Sequence, residues 1–213
     1  MNRIIKFLII PDFLLFTSFG LTDPILAVFF KEEIIGGTLL KAGFASTVFL
    51  LVQSIVQLPF SRYVDAHRDD NFRIHWLLIG RLLISSVPFI YIFARDMNMV
   101  FFAQVVYGIG AGLAYPTWLG LWSAHLDKNK ESFEWSLYST LTVIGTAASA
   151  TIGATLSQLI GFSFTFVLVG TLSLIGCAML FRLDQQIHKE LKQKNILSAR
   201  LRSKHHKKLK SRA

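Results

Sequence analysis

Six long apolar stretches, separated by short polar segments, run along this chain. They cover residues 4–30, 39–60, 74–94, 99–126, 135–159 and 162–182. Each is about as long as a bilayer-crossing helix, because a hydrocarbon core about 30 Å thick needs roughly 20 residues at about 1.5 Å each. The helices of a soluble domain would carry a polar face along most of their length. The pattern therefore predicts an all-α polytopic membrane protein with six transmembrane helices.

Composition narrows the class of protein further. Hydrophobic residues make up 53% of the chain and charged residues 16%. Residues 1–182 are predicted to form one transmembrane bundle, followed by a basic tail over residues 183–213. Cys177 stands alone, which excludes a disulfide framework, and the six histidines form no recognisable metal-binding motif. We expect no metal, no cofactor and no enzymatic activity.

The uneven distribution of basic residues predicts the orientation. Of the 22 Lys and Arg residues, 11 lie from Arg182 onward. In a soluble protein such a run would suggest nucleic-acid binding, but here it indicates the cytoplasmic side, and no nucleic-acid partner is expected. The other segments on that side hold Arg3, Lys6, Arg62, Arg68, Arg73, Lys128 and Lys130. The outside loops hold Lys31, Lys41 and Arg95. Both termini are thus predicted to be cytoplasmic.

The basic tail has a helical pattern of its own. Leu183, Ile187 and Leu191 recur every fourth residue, and basic side chains occupy much of the remainder. Such a helix could lie in the headgroup layer with its basic face toward anionic lipid. A solvated, disordered tail explains the same composition equally well.

Three charged residues lie inside the apolar stretches, namely Asp12, Asp23 and Arg81. A charge in a span costs about 3 kcal/mol or more, so such groups usually face a cavity or a partner. Asp12 and Arg81 lie about equally far from the cytoplasmic ends of their spans, and we hypothesise an ion pair between them. The alternatives are an Arg81 that reaches the headgroups, a hydrated Asp12 and an Asp23 exposed at a helix break beside Pro24.

Uncharged polar residues also occur in the second and fourth stretches. They are Gln53, Gln57, Gln104 and Tyr107. Together with the three charged residues they are our candidates for a substrate path. Hydrogen bonding between helices is the alternative role for each of them.

The fifth stretch carries a small residue at every fourth position: Gly145, Ser149, Gly153, Ser157 and Gly161. A stripe of this kind lets another backbone approach closely. It predicts either tight packing within the bundle or a contact surface for a second molecule.

Residues 20–24 and 112–116 share the form G-L-x-x-P, which would place broken helices at equivalent points of two repeats.

Residues 61–73, which read S-R-Y-V-D-A-H-R-D-D-N-F-R, resemble the loop G-x-L-a-D-r-x-G-r-r between spans two and three of the major facilitator superfamily. Asp65 stands at the motif's acidic position and Ser61 at its first glycine. The glycine-rich fourth stretch and the glycine-spaced fifth stretch are similar to that family's spans four and five. Gln104 replaces the usual arginine, and the proline of the antiporter signature is missing.

This resemblance implies half of a facilitator-type fold, with six helices arranged as two three-helix inverted repeats. It further implies a transporter of a small solute that works by alternating access. Asp65, with Arg68 or Arg73, would form a reduced version of the family's cytoplasmic latch. Because members usually have twelve spans, the chain would act as a homodimer or with a second six-helix half.

A non-transporting scaffold or interaction protein, or a truncated remnant of a twelve-span transporter, remains the alternative function. The altered motifs and the half length favour it. The absence of targeting and glycosylation patterns favours a bacterial plasma membrane, with the lipid bilayer as the surrounding solvent.

Overall fold

The computed structural model describes residues 2–67 and 69–182, and the long elements in this part of the chain are all helices. Its helices are α1 (Arg3–Gly20), α2 (Leu26–Glu32), α3 (Leu39–Ala66), α4 (Asp70–Phe93), α5 (Met97–His125), α6 (Glu131–Ile160) and α7 (Phe162–Arg182). Helices α3 to α7 are each long and apolar enough to cross a membrane. The basic tail and Arg68 lie outside the described residues. The prediction of an all-α, multi-pass protein is confirmed.

The first apolar stretch is not one continuous helix. It divides into α1 and α2 around Pro24, which has no N–H to donate back to the preceding turn. The Thr22 hydroxyl and the Asp23 backbone N–H instead both donate to the Phe19 carbonyl, each at 3.0 Å. Five of the six predicted spans are therefore continuous helices of crossing length, and the first is broken.

The break is not repeated where the predicted inverted repeat would place it. Helix α5 contains Pro116 but runs unbroken from Met97 to His125. Thr117, the next residue, turns its hydroxyl back to the Leu113 and Ala114 carbonyls at 2.7 and 2.8 Å. The G-L-x-x-P echo therefore does not correspond to two equivalent broken helices.

Short polar caps begin three of the long helices. The side chains of Thr38, Asp69 and Asp96 accept hydrogen bonds from backbone N–H groups in the first turns of α3, α4 and α5, at 3.2, 3.2 and 3.0 Å. Each cap satisfies a donor that the helix itself leaves unpaired. At the other end of α6, Gly161 has a φ of 88°, a conformation that glycine adopts without strain, and the chain turns there into α7.

Small residues bring α5 close to two neighbours. It packs against both α3 and α4. A Cβ on Gly80 of α4 would lie 2.7 Å from the Ala114 backbone nitrogen, and one on Gly112 would lie 2.7 Å from the Cβ of Val56 on α3. These approaches have the geometry of small-residue helix packing in membranes. Helices α3, α4 and α5 therefore form one tightly packed wall of the bundle.

The small-residue stripe of α6 lies mainly against α1 of the same chain. A Cβ on Gly145 would meet the Phe13 ring, and one on Gly153 would overlap the Leu21 carbonyl. Ser149 is buried beside Gly20. These residues are thus covered within the bundle and do not offer the contact surface for a second molecule that the sequence left open.

The last two members of the stripe have different surroundings. Ser157 is buried and its hydroxyl lies 3.2 Å from that of Thr165 on α7. Gly161 has nothing within 4 Å of an added Cβ, so its role is to turn the chain rather than to pack.

Two helices leave most of their apolar surface uncovered. Only 11% of the most apolar segment of α3 and 17% of that of α6 is buried, against 44% for α4, α5 and α7. Leu40 and Ile55 on α3 are 84% and 70% exposed, and Leu159 on α6 is 76% exposed. Hydrocarbon or another protein must cover these surfaces.

Candidate functional site

A cavity of about 430 Å³ lies between five helices, α1, α3, α4, α5 and α6. Its lining residues come from the middle of α1, α3, α4 and α5 and from the first turns of α6. They are Asp12, Leu15, Phe16, Phe49, Gln53, Arg81, Ile84, Tyr107, Ala111, Ala114, Tyr115, Trp118, Trp135 and Tyr138. A volume of this size suits a small organic molecule, since ligand sites span about 300–1,000 Å³.

A charge pair forms the polar part of the cavity. The Arg81 guanidinium of α4 donates to Asp12 Oδ1 of α1, as an ion pair, and the Tyr138 hydroxyl of α6 donates to Asp12 Oδ2 at 3.1 Å. Asp12 is only 3% exposed. The ion pair hypothesised from the sequence is present, and each charge offsets the cost of burying the other.

The structure divides the other predicted path residues into two groups. Gln53 and Tyr107 line the cavity. Gln57 lies next to it, because the Gln53 amide donates to its oxygen at 3.4 Å. Gln104 is elsewhere: it is buried and its amide donates to the Tyr91 hydroxyl at 2.8 Å, which is the hydrogen-bonding role between helices.

Asp23 does not line the cavity. It is exposed in the turn between α1 and α2, as expected for a carboxylate beside a proline-induced break.

Aromatic residues that the sequence analysis did not single out form much of the cavity wall. The ring centroids of Trp118 and Tyr138 are 4.9 Å apart, and those of Trp118 and Trp135 are 5.8 Å apart. Trp122 stacks behind Trp118 at 5.0 Å. The spacings i, i+4 in α5 and i, i+3 in α6 put each pair on one helix face, and this was the available signal.

A second cavity, of about 820 Å³, lies at the end of the bundle formed by the C-terminus of α3, the N-terminus of α4 and the C-terminus of α5. Asp65, Asp70 and Arg73 all contribute to its lining. The buried Arg73 donates to the Gly120 carbonyl at 3.0 Å. Asp70 instead pairs with His125 at 3.2 Å, which ties α4 to α5.

Only one of the two predicted latch pairs, Asp65 with Arg73, falls on described residues. Among the described residues, Asp65 and Arg73 make no ion pair with each other, and Arg68 lies outside them. The Arg73 side chain lies against Gly120 of α5, where an added Cβ would be 3.4 Å from the guanidinium carbon. Within the described ranges, Arg73 to Gly120 and Asp70 to His125 connect helix ends here, and the contact of Asp65 with Arg68 stays a prediction.

These features define a class of protein: a multi-pass helical membrane protein with a polar, aromatic-walled cavity at mid-helix. A sequence profile of the Major Facilitator Superfamily matches residues 12–211. The chain belongs to this family of membrane transporters, as the resemblance of its loop and glycine-rich helices implied.

Two similar proteins illustrate the relationship. The chain is 29% identical over 202 residues to the human MFS-type transporter SLC18B1, in a match that covers 85% of this chain and 43% of the relative. It is 24% identical over 179 residues to the quinolone resistance protein NorA of Staphylococcus aureus, covering 84% of this chain and 44% of NorA. The chain thus spans less than half the length of these relatives.

Proposed function

We propose that this chain carries a small solute across the plasma membrane by alternating access, with the cavity around Asp12 and Arg81 as part of the solute path. The observation that carries the proposal is the buried charge pair in a cavity of organic-ligand size. Charged groups in membrane spans are rare and usually mark a substrate or ion pathway. In this arrangement the chain crosses the membrane six times, with α1 and α2 together making the first crossing, and both termini are cytoplasmic.

A second helical body completes the cavity. Helices α3 and α6 both contribute lining residues but do not pack closely against each other, so the cavity has an open side between them. These are the two long helices with the least buried surface. The proposed covering body is a second copy of the chain or a separate six-helix half, which agrees with relatives of about twice this length.

Accessibility labelling tests whether the cavity carries water. In a Cys177→Ser background, Gln53→Cys should react with a small, membrane-impermeant thiol reagent in sealed vesicles, because Gln53 lines the cavity. Ile55→Cys is the matched control. It lies two residues further along α3, about 200° around the helix axis, and faces away from the cavity.

The expected result is labelling at residue 53 and none at residue 55. Protection of residue 53 from reagent added on either side of the membrane would contradict a water-filled path. In that case the non-transporting scaffold becomes the better explanation.

A further inference from the structure

The walls of the central cavity are unusually rich in aromatic rings. Seven of its 14 lining residues are Phe, Tyr or Trp. Rings from three helices converge there, with Phe49 of α3 4.4 Å from Tyr107 of α5, and Trp118 of α5 4.9 Å from Tyr138 of α6. Aromatic faces bind flat apolar groups through stacking and edge contacts. The body of a ligand that fits this space is therefore planar and apolar.

The charge pair has N–H donors to spare. Both oxygens of Asp12 already accept hydrogen bonds, one from Arg81 and one from Tyr138. A guanidinium has five N–H donors. Within the described part of the chain, Arg81 uses them for a single hydrogen bond, to Asp12. The site therefore offers N–H groups to an acceptor oxygen on the ligand.

The charges at this site already balance. One carboxylate faces one guanidinium, and both are largely shielded, with 5% and 11% of their side chains exposed. A cationic ligand would compete with Arg81 for Asp12, and an anionic ligand would compete with Asp12 for Arg81. Either would break the ion pair and leave one of these shielded side chains with an unpaired charge, which is strongly unfavourable.

From these three observations we infer that the cavity binds a planar aromatic molecule without net charge, whose carbonyl-type oxygen accepts a hydrogen bond from Arg81. This inference deepens the proposed function, on which it rests, by naming the chemical class of the solute. The aromatic walls hold the ring system, and the charge pair selects against ionic analogues of the same shape.

A matched series of probes tests the inference on the wild-type chain. Naphthalene-2-carboxamide is uncharged, naphthalene-2-carboxylate is an anion and (naphthalen-2-yl)methylammonium is a cation, and all three share one planar ring system. Their binding to the full chain in lipid nanodiscs is measured by calorimetry, with the heats for empty nanodiscs subtracted. The carboxamide should bind at least about tenfold more tightly than either ion, because only the ions unbalance the site.

Substitutions in the charge pair should change the order of the three probes' binding affinities. Asp12→Asn leaves a net positive site and should favour the carboxylate, whereas Arg81→Gln leaves a net negative site and should favour the ammonium. Glu33→Gln is the control, because it removes an exposed carboxylate at the end of α2, outside the cavity, and should keep the wild-type order. Tyr138→Phe keeps both charges but frees Asp12 Oδ2, so affinity for the ammonium should rise even if the other variants do not fold.

Each outcome decides the inference. Equal or tighter binding of either ion to the wild-type chain overturns it, and so does the absence of binding by all three probes. Labelling at residue 53 combined with the wrong probe order would reject the ligand class and leave the transport path intact. Protection at residue 53 combined with the expected order would reject the path and leave a binding site of the inferred chemistry.

Discussion

At the scale of the residue, the molecule is organised around a carboxylate in the middle of α1. Asp12 accepts hydrogen bonds from α4 through Arg81 and from α6 through Tyr138, so one buried side chain joins three helices. Hydrocarbon cannot hydrate these groups, and their partners must therefore come from the protein. The network fixes the relative depth of the three helices as well as the polarity of the cavity.

The charge pair makes a prediction about stability. Asp12→Asn or Arg81→Gln alone leaves a buried charge without its partner, and each should lower the free energy of unfolding by about 3–5 kcal/mol. The double variant leaves no unpaired charge, so it should be more stable than either single variant. Thermal unfolding of purified protein in detergent measures all three. Strictly additive losses in the double variant would show that the two side chains do not interact.

At the scale of the element, close helix packing depends on where side chains are missing. Helix α6 approaches α1 along Gly145 and Gly153, and α5 approaches α4 at Gly80. The sequence showed the four-residue period of the α6 stripe but not which helix it faces. That choice depends on the turn at Gly161 and on the path of α1, which a one-dimensional pattern does not contain.

Substitutions at two glycines separate packing from helix propensity. A Cβ on Gly153 would overlap the Leu21 carbonyl, so Gly153→Ala should destabilise the protein by about 1–3 kcal/mol through overpacking. Gly43 of α3 has nothing within 4 Å of an added Cβ, so Gly43→Ala should be neutral or stabilising by up to about 1 kcal/mol. Unfolding midpoints compare the two. Equal effects at both positions would argue against close contact between α1 and α6.

At the scale of the whole molecule, the bundle is packed on one side and open on the other. Helices α4, α5 and α7 have much of their apolar surface covered, whereas α3 and α6 flank the open side of the cavity with theirs exposed. This asymmetry is expected of a body that associates with another along α3 and α6, and it underlies the proposed two-body transporter.

Association is the corresponding prediction. In nanodiscs the purified chain should contain two copies per particle by single-molecule photobleaching. Leu50→Arg, on the exposed surface of α3, should convert it to one copy, because a cation would then face an apolar contact. Leu82→Arg is the control, since Leu82 is also exposed at mid-span but belongs to α4. A wild-type chain that is always single would rule out the homodimer and leave a separate second half as the only covering body.

The sequence by itself determined that the protein lies in a membrane, five of its six spans as continuous helices, and the matching depth of the charge pair. The length of an apolar stretch decides whether a helix can cross the bilayer. Equal distance from the ends predicted to be cytoplasmic was enough to pair Asp12 with Arg81 across 69 positions. Only the tertiary structure decided that Tyr138, Trp118 and Trp135 complete the cavity and that Gln104 does not belong to it. Depth along a helix can be read from residue order, but the direction in which a side chain points is set by how each helix is rotated against its neighbours.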